Sequence, residues 1–261
     1  MKFRYQLLFV CLAAFSAAST LNSLSAQEPS TSGGKKAKNA AGKENTVASK
    51  ASSKNDGWHI LLPKEGLKGW TVTDFLEPGK IERKGNTLVL GIGAPMTGIT
   101  YKGKDIPSEG YEIEVQANRL EGSDFLCGLT FPIKNGFCSF IAGGWGGSIV
   151  GLSSVDGSDA SENATTTNGE FKNNTWYTFR IVIDDEYVRG FIDDEEYFRQ
   201  DLEGHDFETR IELDDCHPLG YAVYDSKVAI RGFRWRKLPV KNSGSKKTAA
   251  QKESNEKKDS K

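Results

Sequence analysis

The chain has 261 residues, of which 37% are hydrophobic and 26% charged, with 34 Lys and Arg against 35 Asp and Glu and a formal net charge of −1. That balance is uneven along the chain, because residues 57–238 hold 19 Lys and Arg against 29 Asp and Glu, and the segments on either side are basic. An acidic middle without a cationic stripe excludes nucleic acid as a partner, since such binding needs a positive face to exchange for phosphate counterions.

In chain order, residues 1–26 read as a secretory signal peptide: Lys2 and Arg4, an apolar run over 7–18, then small residues to Ala26. Cleavage after Ala26 is expected, with Ala18 as a competing site, so the mature chain is exported to a periplasmic or extracellular space. Cys11 lies inside the apolar run and lacks the small residue before it that lipid attachment requires. No later run is long enough to span a bilayer, so no transmembrane span is expected in the mature chain. Residues 27–56 are Ser, Lys, Ala, Asn and Gly with almost no large apolar side chain, and read as a disordered linker. Residues 239–261 read likewise as a disordered basic tail. Between them, 57–238 suffices for one sandwich and is too short for two ordinary cores.

Within that domain, short runs rich in Val, Ile, Tyr, Phe and Thr alternate with Gly, Asn and Asp clusters, as at 87–91, 111–118, 177–183 and 187–192. Nothing long has helical periodicity. Residues 124–133 and 137–142 predict a hairpin turning at Asn135-Gly136. Such a register sets Cys127 opposite a residue near Ala142 and leaves Cys138 roughly 13 Å along the strand. That is beyond disulfide reach, so buried thiols are expected for Cys127, Cys138 and Cys216 unless a bulge shifts the pairing. Residues 176–202 predict a three-stranded meander whose turns are Asp184-Asp185 and Asp193-Asp194, with acids that only suit turn geometry and a solvated edge. The fold class is therefore all-β, an antiparallel two-sheet jelly-roll sandwich with a concave face.

The stretch Gly143-Gly144-Trp145-Gly146-Gly147 puts an indole between residues without side chains, so another molecule can approach the ring. An amphipathic aromatic surface suits the apolar face of a pyranose, which makes a sugar or oligosaccharide the expected partner and Trp145, Gly144, Gly146, Asn163 and Asp215 the binding residues. Asp156, Asp159 and Glu162, spaced by three through small residues, are candidate catalytic acids or ligands of a divalent metal such as Ca²⁺. His217, before Pro218, is the candidate base among three histidines. The alternatives are a core-plugging Trp145, acids that only solvate a loop, and a solvent-facing His217. Trp58, Trp70, Trp176 and Trp235 read as core plugs because their strand neighbours are apolar.

Gly66-Leu67-Lys68-Gly69-Trp70, Tyr111-Glu112-Ile113-Glu114-Val115, Asn174-Thr175-Trp176-Tyr177 and the closing run Val228-Ala229-Ile230-Arg231-Gly232-Phe233-Arg234-Trp235 together resemble the 3-keto-disaccharide hydrolase domain family. The resemblance implies a concanavalin A-like fold and an exported hydrolase or lyase that cleaves 3-keto-glycosides. A ketone at carbon 3 acidifies the hydrogen on carbon 2, so a base removes it while an electrophile holds the enolate and the anomeric substituent leaves. The chain departs from the family where Cys138-Ser139-Phe140-Ile141-Ala142 replaces a Glu-x-Gln strand, so no catalytic residue is carried across. A non-catalytic sugar-binding module of the cell envelope is the alternative.

Overall fold

The computed structural model describes residues 56–103 and 106–239. The signal peptide, most of the linker and the basic tail expected from the sequence lie outside the described residues.

The described chain is built from two antiparallel sheets. One contains, in spatial order, β13 (Glu195–Asp201), β12 (Tyr187–Ile192), β11 (Tyr177–Ile183), β6 (Tyr111–Gly122), β15 (Ser226–Lys237), β4 (Thr87–Leu90) and β3 (Ile81–Lys84), with β1 (His59–Ile60) also pairing on β15. The other runs β10 (Thr167–Asn168), β9 (Ile149–Ser153), β8 (Gly136–Gly144), β7 (Cys127–Ile133), β14 (Leu219–Tyr224), β5 (Met96–Tyr101) and β2 (Trp70–Val72). Neighbours distant in sequence, such as β6 beside β15 and β14 between β7 and β5, give the crossed connections of a jelly roll. The meander expected at 176–202 is β11, β12 and β13.

The core follows from the period of two. Tyr111, Ile113, Val115 and Ala117 of β6 and Phe179, Ile181 and Ile183 of β11 face Cys127, Leu129, Phe131 and Ile133 of β7 and Phe140 and Ala142 of β8 in one buried cluster. Tyr111 and Tyr221 keep their hydroxyls satisfied there by donating to the carbonyls of Pro132 and Leu126, at 2.7 and 2.5 Å. Cys127 pairs with Ala142 and Cys138 with Phe131, so both thiols are buried and unbridged as expected, but the turn is Lys134-Asn135 and not Asn135-Gly136, since Gly136 is already in β8 opposite Ile133.

The outward residues of the eight-stranded sheet form a polar ladder. Glu112 accepts from Arg236 and Arg180, Glu114 from Arg234 and Gln116 from Arg231. Trp58 and Trp176 belong to this ladder and not to the core. Arg234 and Arg236 stack on Trp58, Arg231 stacks on Trp176 at 4.0 Å, and both indoles are half-buried. Apolar sequence neighbours could not reveal this, because alternate residues of a strand point to opposite faces. Trp70 and Trp235 are buried as expected. Asp184 does more than shape a turn: it is buried, accepts from the amides of Glu186 and Tyr187, and pairs with Arg189.

Candidate functional site

The outer face of the seven-stranded sheet carries a second apolar cluster. Strand register aligns Gly151, Ile141, Gly128, Ala222 and Gly98 in one row across β9, β8, β7, β14 and β5. Because all but Ile141 are glycine or alanine, the row is a shallow trough on which rings can lie. A Cβ at Gly128 would sit 3.0 Å from the Phe125 ring, and one at Gly98 would sit 2.9 Å from the Phe75 ring. Tyr224, two residues beyond Ala222 on the same face, lies 5.8 Å from Phe125 and stays 38% exposed. Phe75, Phe125 and Tyr224 thus form an aromatic strip, and Trp145 stands at its edge where β8 ends.

Trp145 is presented by its turn. Its φ of 51° lies in the left-handed region, with Gly146 at 86° and Gly147 at 116° completing a tight reversal that branched residues would oppose. Asp124 fixes this reversal to the strip, one carboxylate oxygen accepting from the Phe125 amide at 2.7 Å and the other from the Gly146 amide at 2.9 Å. Behind it, buried Arg119 donates to the carbonyls of Asp124 and Phe171 and to Asn173 Oδ1, at 2.8, 2.7 and 2.6 Å. The indole itself is 43% exposed, against the expectation's alternative of a core plug.

Arg210 forms the polar wall. Its guanidinium lies 5.9 Å from the Trp145 ring centre, donates to Asp159 at 2.6 Å and forks onto both oxygens of Glu212. Glu212 loses solvation by partial burial, yet the Arg210 bonds outweigh that and hold its carboxyl below the usual carboxylate range. The other oxygen of Asp159 accepts from the Ser161 amide and hydroxyl. Asp159 therefore reaches the indole only through Arg210 and is bonded at both oxygens.

The remaining predicted residues do not gather there. Asp156 accepts from His205 Nδ1 at 2.7 Å and from the Asp206 amide at 2.9 Å, and the amide first and the imidazole second hold its carboxyl below the usual range. His217 stacks on Phe137 with ring centres 4.2 Å apart and meets the Thr209 hydroxyl at 2.8 Å. Phe137 begins β8 and Trp145 follows its end, so His217 packs toward the opposite end of that strand from the indole. Burial lowers the His217 imidazole below its ordinary value, against the opposing pull of Asp214 and Asp215. Asn163 is occupied inside the loop. Its amide donates to the carbonyls of Leu152, Ser158 and Asp159, and its oxygen accepts from Thr165, so it fixes the loop and presents nothing to a ligand. Glu162 and Asp215 are exposed, and the Asp215 carbonyl accepts from Thr100. Gly144 lies against Ile141 and Gly146 faces open space. Among the described residues no group of three or more His, Cys, Asp or Glu is gathered to hold a metal ion.

One segment links these groups. His205, Thr209 and Arg210 reach Asp156, His217 and Asp159, and the 3₁₀ turn Ile211–Cys216 that follows seats Leu213 and Cys216 on the sheet. Arg210, Glu212, Phe125, Tyr224 and Phe75 were missed in the sequence. Only Tyr224 left a signal, as the aromatic out of phase with core residues Leu219, Tyr221 and Val223.

The molecule is thus an all-β jelly-roll sandwich with an aromatic strip and a charged wall on one outer face. Among solved structures it is similar to the carbohydrate binding module CBM66 from Bacillus subtilis, at 11% identity over 65% of this chain and 96% of that one, with a TM-score of 0.42. It is also similar to SCLam, a non-specific endo-beta-1,3(4)-glucanase of family GH16, at 10% identity over 70% and 92%, with a TM-score of 0.45. A third is domain 4 of a GH43 extracellular arabinanase from Geobacillus stearothermophilus in complex with arabinotriose, at 14% identity over 65% and 82%, with a TM-score of 0.40. No protein-family model and no curated protein matches the chain.

Proposed function

We propose that this is an exported carbohydrate-binding protein that lays a sugar chain along Trp145, Phe125, Tyr224 and Phe75. The observation that carries the reading is the 43% exposed indole on a glycine turn, continued by a strip of rings over a trough of small residues. Each ring covers the apolar face of one sugar, and Asp159, Glu212 and Arg210 offer acceptors and donors to its hydroxyls. Binding is favoured over catalysis at this wall because Glu212 is held ionised by Arg210 and has no proton to give a leaving group.

A second reading, cleavage of 3-keto-glycosides, draws on His217. Its imidazole is held neutral by burial and is 30% exposed, as a base for the acidified hydrogen on carbon 2 must be. A single experiment addresses both. The mature protein is titrated with soluble polysaccharides and incubated with 3-keto-trehalose and with unoxidised trehalose, with and without divalent metal. Polysaccharide binding that weakens roughly 5- to 30-fold in Trp145→Ala, about 1–2 kcal/mol, with unchanged melting temperature supports the binding reading. An unchanged affinity in that variant overturns it. Release of reducing sugar from the keto sugar alone, lost in His217→Gln, establishes the second.

A further inference from the structure

We infer that the aromatic strip selects glycans by charge, taking chains of protonated amino sugars in preference to neutral ones and rejecting polyanions. The inference rests on the sugar-binding reading of this face and adds the substrate class.

Each ring of the strip has an acid immediately beside it in the chain: Asp74 before Phe75, Asp124 before Phe125 and Asp225 after Tyr224. Asp74 and Asp225 are exposed, and among the described residues neither is in an ion pair. Asp124 sits between the Phe125 and Gly146 amides, which brings its carboxylate between the strip and the indole, with the buried Arg119 behind it offsetting part of that charge, so the unpaired acids of the strip are Asp74 and Asp225. At the far end Arg210 is the cation of the wall, but it is offset by both Asp159 and Glu212, so that wall also carries net negative charge. A carboxylate within a few residues of each ring lies inside a Debye length, about 8–10 Å at moderate salt, of any charge on a sugar stacked there. Ammonium groups on successive sugars would therefore meet a carboxylate at each ring. Carboxylated or sulfated sugars would meet like charge, with Arg210 already neutralised.

The test uses three oligosaccharide probes of similar length: partly deacetylated chitooligosaccharide, its fully acetylated counterpart, and oligogalacturonate. Calorimetric titrations of the mature protein are run at mildly acid pH, where the amine is protonated, in low salt and in roughly 1 M NaCl, where the Debye length falls to about 3 Å. The expected result is about five- to tenfold tighter binding of the amino-sugar probe than of the acetylated one at low salt, no oligogalacturonate binding, and loss of the preference at high salt. The double variant Asp74→Asn, Asp225→Asn is expected to reduce the preference and leave the acetylated probe's affinity unchanged. Equal binding of the amino-sugar and acetylated probes at low salt, a preference that survives high salt, or tighter oligogalacturonate binding overturns the inference while leaving sugar binding intact. Failure of all three probes, together with an unaltered Trp145→Ala titration against other polysaccharides, removes the sugar-binding reading itself.

Discussion

His217 shows how a single environment sets what a residue can do. Its ring is pressed against Phe137 and bonded to Thr209, and burial lowers its proton affinity from the ordinary 6.5, while Asp214 at 3.9 Å is too far to compensate. Between its folded value and 6.5 the unfolded chain binds more protons than the folded one, so stability rises with pH across that window and falls as pH drops below 6.5. Asp156 acts in a separate, lower window. Its depressed carboxyl contributes stability above 3.8 that is lost as pH falls through its folded value. Thermal melts from pH 8 to pH 3 should therefore show a first decline beginning near 6.5 that is absent in His217→Gln and retained in Asp156→Asn. A His217→Gln melt profile identical to wild type would contradict this assignment. Trp145 was legible at this scale because its flanking glycines are local in sequence. Arg210 was not, since its contacts with Trp145 and Asp159 join residues more than 50 positions apart.

Among elements, the 3₁₀ turn Ile211–Cys216 and the residues before it organise the outer face. Cys216 and Leu213 anchor it, and Gly220 of β14 lets it approach: a Cβ there would stand 2.6 Å from Cys216 Cβ and 2.7 Å from the Cys216 carbonyl oxygen. Gly220→Val must push the turn off the sheet or distort β14, and overpacking of this kind costs about 1–3 kcal/mol. Chemical denaturation should register a loss of that size, and weaker polysaccharide binding should accompany it because Arg210 and Glu212 move with the turn. A variant as stable as wild type would show that the approach is not tight. The pairing of β7 with β8 was legible from strand alternation, whereas the turn itself falls at Lys134-Asn135, one residue before the expected Asn135-Gly136, because Ile133 pairs with Gly136. The placing of Trp58 and Trp176 on the polar ladder was not, because a tryptophan suits either face of a strand and only the Arg partners on β15 decide which.

At the scale of the whole molecule, sandwich packing seals Cys127 and Cys138 between the sheets, and the 3₁₀ turn buries Cys216 against the outer face. Burial pushes the Cys138 and Cys216 thiols up to about 12 and Cys127 higher still, so none is a thiolate at neutral pH. Alkylation followed by mass measurement should leave all three unmodified in the native protein and modify all three in denaturant, with no reductant needed. Rapid native labelling of Cys127 or Cys138 would mean that the sheets open locally, and of Cys216 that the 3₁₀ turn lifts from the outer face. The same packing explains why two function classes separate. The candidate base His217 packs on Phe137 at the start of β8, whereas the Phe125–Tyr224 pair lies toward the other end, where Asp124 ties Phe125 to the Trp145 turn.

The amino-acid sequence by itself determined the all-β class, the meander and the central hairpin with its unbridged cysteines, and it singled out the glycine-flanked indole whose exposure the structure then decided. These depend on period-two alternation and turn residues, which act over a few positions. Only the tertiary structure decided which face each tryptophan occupies, that Asn163 is consumed within its own loop, that His217 and Trp145 lie at opposite ends of one strand, and that Arg210 and three further rings complete the site. Those outcomes depend on register between strands far apart in the chain, where a shift of one residue sends every side chain to the other face and no local pattern records the choice.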